Sequence, residues 1–154
     1  MILLGTVSDP KRWLAAAIAH DNPTSEEQGD KPRLGMRSLR VLVVEDEFFI
    51  SLHMKELLET LGHVVVAIAV SADQAVNMAA KEIPDVVLMD IRLIGSRDGI
   101  DAAAEIRSRF GIGSIFVTAN TDSETRERAQ AVQPVAFLEK PLTEQRLKFG
   151  LSWV

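Results

Sequence analysis

Glu45, Asp46, Asp90, Thr118 and Lys140 are the residues of this chain whose types and placement could do chemistry together. Each comes closely after a short apolar run: Val41-Leu42-Val43-Val44, Val86-Val87-Leu88-Met89, Ile115-Phe116-Val117 or Val135-Ala136-Phe137-Leu138. Continuous β-branched runs of this kind read as strands buried on both faces, as in parallel sheets. Such strands deliver the next residues to the carboxyl edge of the sheet, where open α/β folds bind ligands. Singly, each residue has an ordinary explanation, since acids cap helices, threonine ends strands and Lys-Pro occurs in loops. Five on one edge is what speaks for a site. Three crowded carboxylates repel one another and favour protonation unless a hard divalent cation such as Mg²⁺ relieves them. A carboxylate beside Mg²⁺ can attack phosphorus and form an acyl phosphate. Lys140 would then offset charge on the phosphoryl oxygens, while the Thr118 hydroxyl and a backbone N–H near Ala119 donate hydrogen bonds to them.

The intervening segments supply the elements such a site needs. After the first strand, Ile50, Met54, Leu57 and Leu61 lie on one face of a helix that Gly62 stops. Val64 to Val70 is a second apolar strand. Ser71 caps a second helix, whose Ala72, Ala75, Val76, Ala79 and Ala80 form a small-residue stripe for close packing on a sheet. Pro84 ends that connection ahead of the strand that carries Asp90. A third helix is expected over 99–110, closed by Gly111. A fourth is expected over 121–132 with a thin apolar stripe of Thr125, Ala129 and Val132, and a last one after Leu142. Five strands alternating with five helices imply a doubly wound α/β domain: a parallel sheet covered on both faces through right-handed crossovers.

Composition narrows the function. The chain has 154 residues, 47% hydrophobic and 25% charged, enough for one domain with a real core. A net charge of −5 gives no electrostatic footing for nucleic acid or an anionic membrane. No cysteine is present, which removes disulfides, thiolate metal sites and cysteine nucleophiles. Apolar runs are too short to span a bilayer, and Asp9, Lys11 and Arg12 interrupt the apolar start, so a soluble, cytoplasmic protein is expected. Residues 1–36 read as an N-terminal extension to a domain over 37–154. Within it, residues 10–20 could form a short helix with Asp9 as N-cap and Trp13, Leu14, Ala17 and Ile18 on one face. A polar linker comes next, over 21–32. The readings that stay open are an appended helix that covers a surface or mediates pairing, a tail without fixed structure, or an over-long reading frame whose true start is Met36.

From Arg40 onward the sequence resembles the receiver domain of two-component response regulators. The matching pieces are Val41-Leu42-Val43-Val44-Glu45-Asp46-Glu47, Val86-Val87-Leu88-Met89-Asp90-Ile91-Arg92-Leu93, Asp98-Gly99-Ile100, Phe116-Val117-Thr118-Ala119 and Phe137-Leu138-Glu139-Lys140-Pro141. The resemblance implies a flavodoxin-like five-stranded sheet of order 2-1-3-4-5. It implies that Asp90 is the phosphoacceptor, supplied by a sensor histidine kinase or a histidine phosphotransfer protein. Mg²⁺ would be held by Asp46 and Asp90, with Glu45 acting directly or through water and the backbone carbonyl of Arg92 completing the set. Thr118 and Phe137 would form a switch pair, Lys140 would bind phosphate, and Lys140–Pro141 would be cis. The switch would change the surface of the fourth helix, fifth strand and last helix. Such a chain is a signalling phosphoprotein, not an enzyme, and its output is binding to another protein, or acting as a phosphate sink or relay.

Departures from the commonest pattern bear on lifetime more than competence. The loop after Asp90, Ile91-Arg92-Leu93-Ile94-Gly95-Ser96-Arg97-Asp98, is one residue longer than usual and lacks the frequent proline. Arg92 and Asn120 lie two residues past Asp90 and Thr118, at positions that tune dephosphorylation in the family. Nothing after Lys140 resembles an output module, so a complete chain of this kind would be a stand-alone receiver. Its apolar tail, Leu147, Phe149, Leu151, Trp153 and Val154, reads either as core packing by Leu147 and Trp153 or as a partner or homodimer surface. Two other classes remain: a degenerate receiver that binds proteins without phosphorylation, and a metal-dependent phosphatase forming an aspartyl phosphate. The phosphatases want a second acid two residues past the nucleophile, where this chain has Arg92.

Overall fold

The computed structural model describes residues 37–154, so the helix and linker expected within 1–36 lie outside the described residues. Strands β1 (Arg40–Val44), β2 (Val64–Ala69), β3 (Val86–Asp90), β4 (Gly113–Thr118) and β5 (Ala136–Glu139) alternate with helices α1 (Phe48–Thr60), α2 (Ala72–Glu82), α3 (Gly99–Phe110), α4 (Ser123–Ala131) and α5 (Glu144–Leu151). The sheet is parallel throughout and runs β2-β1-β3-β4-β5. The doubly wound architecture and strand order expected from the sequence are therefore present.

Alternation along the strands divides the core in two. Leu42, Val44, Val87, Met89 and Phe116 point to the face covered by α2, α3 and α4. Val41, Val43, Val86, Leu88, Ile115 and Val117 point to the face covered by α1 and α5. Both faces of the central strands are dry, which is why their sequences run apolar without alternation. At one edge, β2 contains a register shift opposite Val41/Leu42, a bulge of the kind that discourages pairing with another chain.

Several boundaries and faces differ from expectation. β4 begins at Gly113, earlier than the apolar run suggests, because its first residues pair with Val86 and Val87. α4 spans Ser123–Ala131, since Asp122 takes the N-cap position and accepts from the Thr125 N–H. In α1 the buried residues are Ser51, Met54 and Leu58, with Ile50, Leu57 and Leu61 only partly covered. Ala80 is exposed and Met78 packs on the core in its place. Gly150 lies within the last helix, where a Cβ would stand 3.1 Å from the Leu138 side chain, so its absence lets α5 sit close on β5. Leu147 and Leu151 are the core residues of α5, whereas Trp153 is exposed and stacks edge-on against Phe149 at 6.1 Å. Among the described residues no helix is long and apolar enough to cross a membrane.

Candidate functional site

Each site residue stands where its strand stops. β1 ends at Val44, and Glu45 comes next with its N–H still tied to the Ala69 carbonyl of β2 at 3.0 Å. Asp90 is the last residue of β3 and Thr118 the last of β4. Lys140 directly succeeds β5, and its N–H donates to the Thr118 carbonyl at 2.9 Å, so the two are neighbours across the sheet edge. Lys140–Pro141 is a cis peptide, as the resemblance implied.

At that edge the side chains converge. Lys140 Nζ donates to Glu45 Oε2 at 2.8 Å and lies 3.4 Å from Asp90 Oδ2. Glu45 Oε1 accepts the Glu47 N–H at 3.1 Å, and Asp90 Oδ1 accepts the Arg92 N–H at 3.2 Å. Glu45, Asp46 and Asp90 each present an oxygen within 4.8 Å of the others'. Burial pushes the Glu45 carboxyl up to about 7, helped by the nearby Asp90 charge and opposed by Lys140 and the Glu47 N–H. Burial also raises Asp90 above the ordinary carboxylate range, against the pull of Lys140. For Lys140, burial works downward, but the Glu45 hydrogen bond and the Asp90 charge outweigh it and hold the ammonium above its usual pKa. A cluster of three oxygen donors, two of them strained toward protonation, fits a hard divalent cation such as Mg²⁺.

The remaining expected residues are distributed around this centre. Thr118 is buried. It lies two residues beyond Phe116 and so shares the sheet face on which α4 and Phe137 lie. Phe137 is partly buried, its ring 5.5 Å from that of Phe116. Arg92 uses its N–H on Asp90, and its guanidinium donates to the Asn120 carbonyl at 3.3 Å, tying the loops after β3 and β4 together.

One residue of the site escaped the chemical reading. Gly99 N–H donates to the Ile91 carbonyl at 2.8 Å, and a Cβ on Gly99 would stand 1.9 Å from the Asp90 carbonyl oxygen. The start of α3 therefore rests directly on the Asp90 backbone. The readable signal was the spacing Asp98-x-x-Asp101, which forms a reciprocal capping box.

A family model described as the response regulator receiver domain matches residues 41–151. The chain belongs to the response regulator receiver domain family. It is 36% identical over 121 residues to the transcriptional regulatory protein PdtaR of Mycobacterium tuberculosis, covering 79% of this chain and 56% of that protein. It is 33% identical over 114 residues to the phyllosphere-induced regulator PhyR of Methylorubrum extorquens, covering 73% of this chain and 42% of that protein. The chain thus spans about half the length of these relatives. Among solved structures it resembles the signal receiver domain of a modulated diguanylate cyclase from Desulfovibrio desulfuricans G20, with a TM-score of 0.72 and 33% identity over 75% of this chain and 92% of that one. The PhyR receiver domain of Erythrobacter litoralis aligns with a TM-score of 0.66 and 35% identity over 76% of this chain and 89% of that one. The chain is a receiver domain of the two-component type, a class of signalling modules.

Proposed function

We propose that Asp90 accepts a phosphoryl group from a phosphohistidine donor, a sensor histidine kinase or a histidine phosphotransfer protein. The observation that carries this reading is Asp90 held at the sheet edge with Lys140 at 3.4 Å and two further carboxylates beside it. In the transfer, Asp90 Oδ forms a P–O bond as the P–N bond of phosphohistidine breaks, and the departing imidazole keeps the electron pair and takes up a proton. Asp46 and Asp90 would hold Mg²⁺, with Glu45 directly or through water and the Arg92 carbonyl. When bound, Mg²⁺ supplies charge neutralisation for the phosphoryl oxygens. Lys140 reaches the same oxygens from its position between Glu45 and Asp90, and the Thr118 hydroxyl donates to them. Drawing Thr118 toward Asp90 vacates space on the face it shares with Phe137, and the surface of α4, β5 and α5 changes with it.

The output on this reading is contact with another protein in the cytoplasm, not with nucleic acid or membrane. One relative of known structure carries the description anti-anti-sigma factor PhyR, from Bartonella quintana, at 30% identity over 76% of this chain and 47% of that one. That description is consistent with a protein partner here. Residues 37–154 form the receiver unit, and residues 1–36 an extension to it. Homodimerisation through the exposed Phe149, Trp153 and Val154 is part of the same proposal.

Intact mass after incubation with a small phosphodonor and Mg²⁺ tests the central step. One phosphoryl adduct that needs Mg²⁺ and disappears in Asp90→Asn is expected. Absence of the adduct from a folded wild type would overturn the reading in favour of a phosphorylation-independent binding module.

A further inference from the structure

α4 has the thinnest apolar anchoring of the five described helices. α4 buries only Ala129, and its other core-side partner is Val132 just beyond its end. Its Arg128 reaches across to the start of α3, donating to Asp98 Oδ2 at 2.9 Å and to Asp101 Oδ1 at 3.4 Å. Those two carboxylates are also the capping box of α3, with the Asp101 N–H on Asp98 Oδ1 at 2.9 Å and the Asp98 N–H on Asp101 Oδ2 at 3.2 Å. The turn that carries them is also tied to the sheet. Gly99, between them, rests on the Asp90 backbone with no room for a side chain. One end of this clasp is therefore fixed to the strand that carries Asp90, and the other rides on the helix with the least apolar anchoring.

We propose that the Arg128 clasp on Asp98 and Asp101 is a latch that holds α4 in its unphosphorylated position and so sets how readily the domain switches. The inference rests on the phosphoacceptor reading of Asp90. A phosphoryl group there draws Thr118 inward, and the chain from Ala119 to Asp122 transmits the pull to α4. Displacing α4 must then break the clasp. By linkage, whatever the clasp contributes to the resting position is subtracted from the affinity for a phosphoryl group or its analogue. A partly exposed pair of this kind changes an equilibrium by about two- to fivefold, a modest bias suited to a switch whose states are closely balanced. Arg128 touches no reacting atom and is a positioning residue.

Two measurements on the full chain test the latch. Without any phosphodonor, hydrogen exchange of the α4 amides should speed up about two- to fivefold in Arg128→Ala while α3 amides are unchanged. With Mg²⁺ and beryllofluoride as the phosphoryl analogue, Arg128→Ala should bind the analogue tighter by a similar factor. Asp98→Asn, which keeps an N-cap, should reproduce most of the gain, and the two substitutions together should add little more. In a Thr118→Ala background the gain should vanish. Unchanged α4 exchange overturns the latch irrespective of any phosphorylation. Faster exchange with unchanged or weaker analogue binding, or a gain that persists without Thr118, also overturns it. Failure of wild type to form the Asp90 adduct removes the parent reading instead, and the mass measurement identifies that case separately.

Discussion

Helices α3 and α4 each come after a strand that ends in a site residue, Asp90 for α3 and Thr118 for α4, yet they are held in opposite ways. α3 buries Gly99, Ile100, Ala102, Ala103 and Ile106, opens with a reciprocal capping box and closes on Gly111 in the left-handed region. α4 buries Ala129 alone, is capped by Asp122, and is tied to α3 by Arg128 and, just past its end, by Arg107 donating to the Gln133 carbonyl at 2.7 Å. The difference teaches a division of labour. The element behind the proposed acceptor is a rigid base, because a nucleophile displaced by an ångström loses its geometry. The element behind the hydroxyl that would respond is loosely held, because a part that must occupy two positions cannot be deeply anchored in one.

The comparison breaks most clearly in the core. Ile106→Ala should cost roughly 2–5 kcal/mol of unfolding free energy, since its side chain is wholly buried under the sheet. Ala129→Gly, which removes the one buried side chain of α4, should cost about 1.5 kcal/mol, from helix propensity and one lost methyl. Urea denaturation measures both, and equal losses would show that α4 is anchored just as firmly as α3. Gly99→Ala comes next. Its Cβ would collide with the Asp90 carbonyl oxygen, so the helix or the strand end must shift, at roughly 1–3 kcal/mol. Adduct formation at Asp90 should fall by more than that stability loss explains, because the shift is at the acceptor itself. Normal adduct formation in a stable Gly99→Ala protein would show that the close approach does not position Asp90.

The legible and the hidden parts of the molecule divide along the same line. The five strands were readable because each is a continuous apolar run, their order followed from the resemblance to receiver domains, and the chemistry was readable because Glu45, Asp46, Asp90, Thr118 and Lys140 stand where those runs stop. Helix faces were less legible. In α1 the 3.6-residue period permits neighbouring stripes, and packing buries Ser51 and Leu58 along with the expected Met54 while leaving Ile50, Leu57 and Leu61 only partly covered. Trp153 reads as a core residue by type but falls outside, because Leu147 and Leu151 already fill the face of α5. The Gly99 approach showed only indirectly, through the Asp98-x-x-Asp101 spacing, and the clasp was not legible at all. Arg128 is thirty residues from Asp98, and nothing local in either sequence marks the pair. Only tertiary packing brings them together.

Smaller effects sharpen the contrast at the helix starts. Asp122 accepts both the N–H and the hydroxyl of Thr125, so Asp122→Ala removes the cap of α4. An N-cap is worth about 1 kcal/mol, and the α4 amides should exchange about fivefold faster. Global stability should hardly move, since α4 can fray without unfolding the sheet. A capping loss that lowered the urea midpoint as much as Gly99→Ala would contradict this.

The smallest effect is a titration. Burial works to raise the Asp98 carboxyl, but the Asp101 N–H and Arg128 outweigh it and hold the folded group below its ordinary 3.8. A depressed carboxylate contributes stability that is fully present above the unfolded value and is lost as pH falls through the folded one. Lowering the pH below about 3.8 should therefore weaken the cap and the clasp together. The two helices should part company there. α3 keeps its buried face when Asp98 is protonated, whereas α4 loses one of its few ties to α3. Amide exchange followed by NMR from about pH 5 to about pH 3 should show α4 losing protection before α3. The effect is limited by solvent screening at a partly exposed pair. In Asp98→Asn the α4 amides should start less protected and show a flatter pH dependence over the same window. If α3 opened first in wild type, the clasp would be serving α3, and the assignment of rigid base and loose responder would have to be reversed.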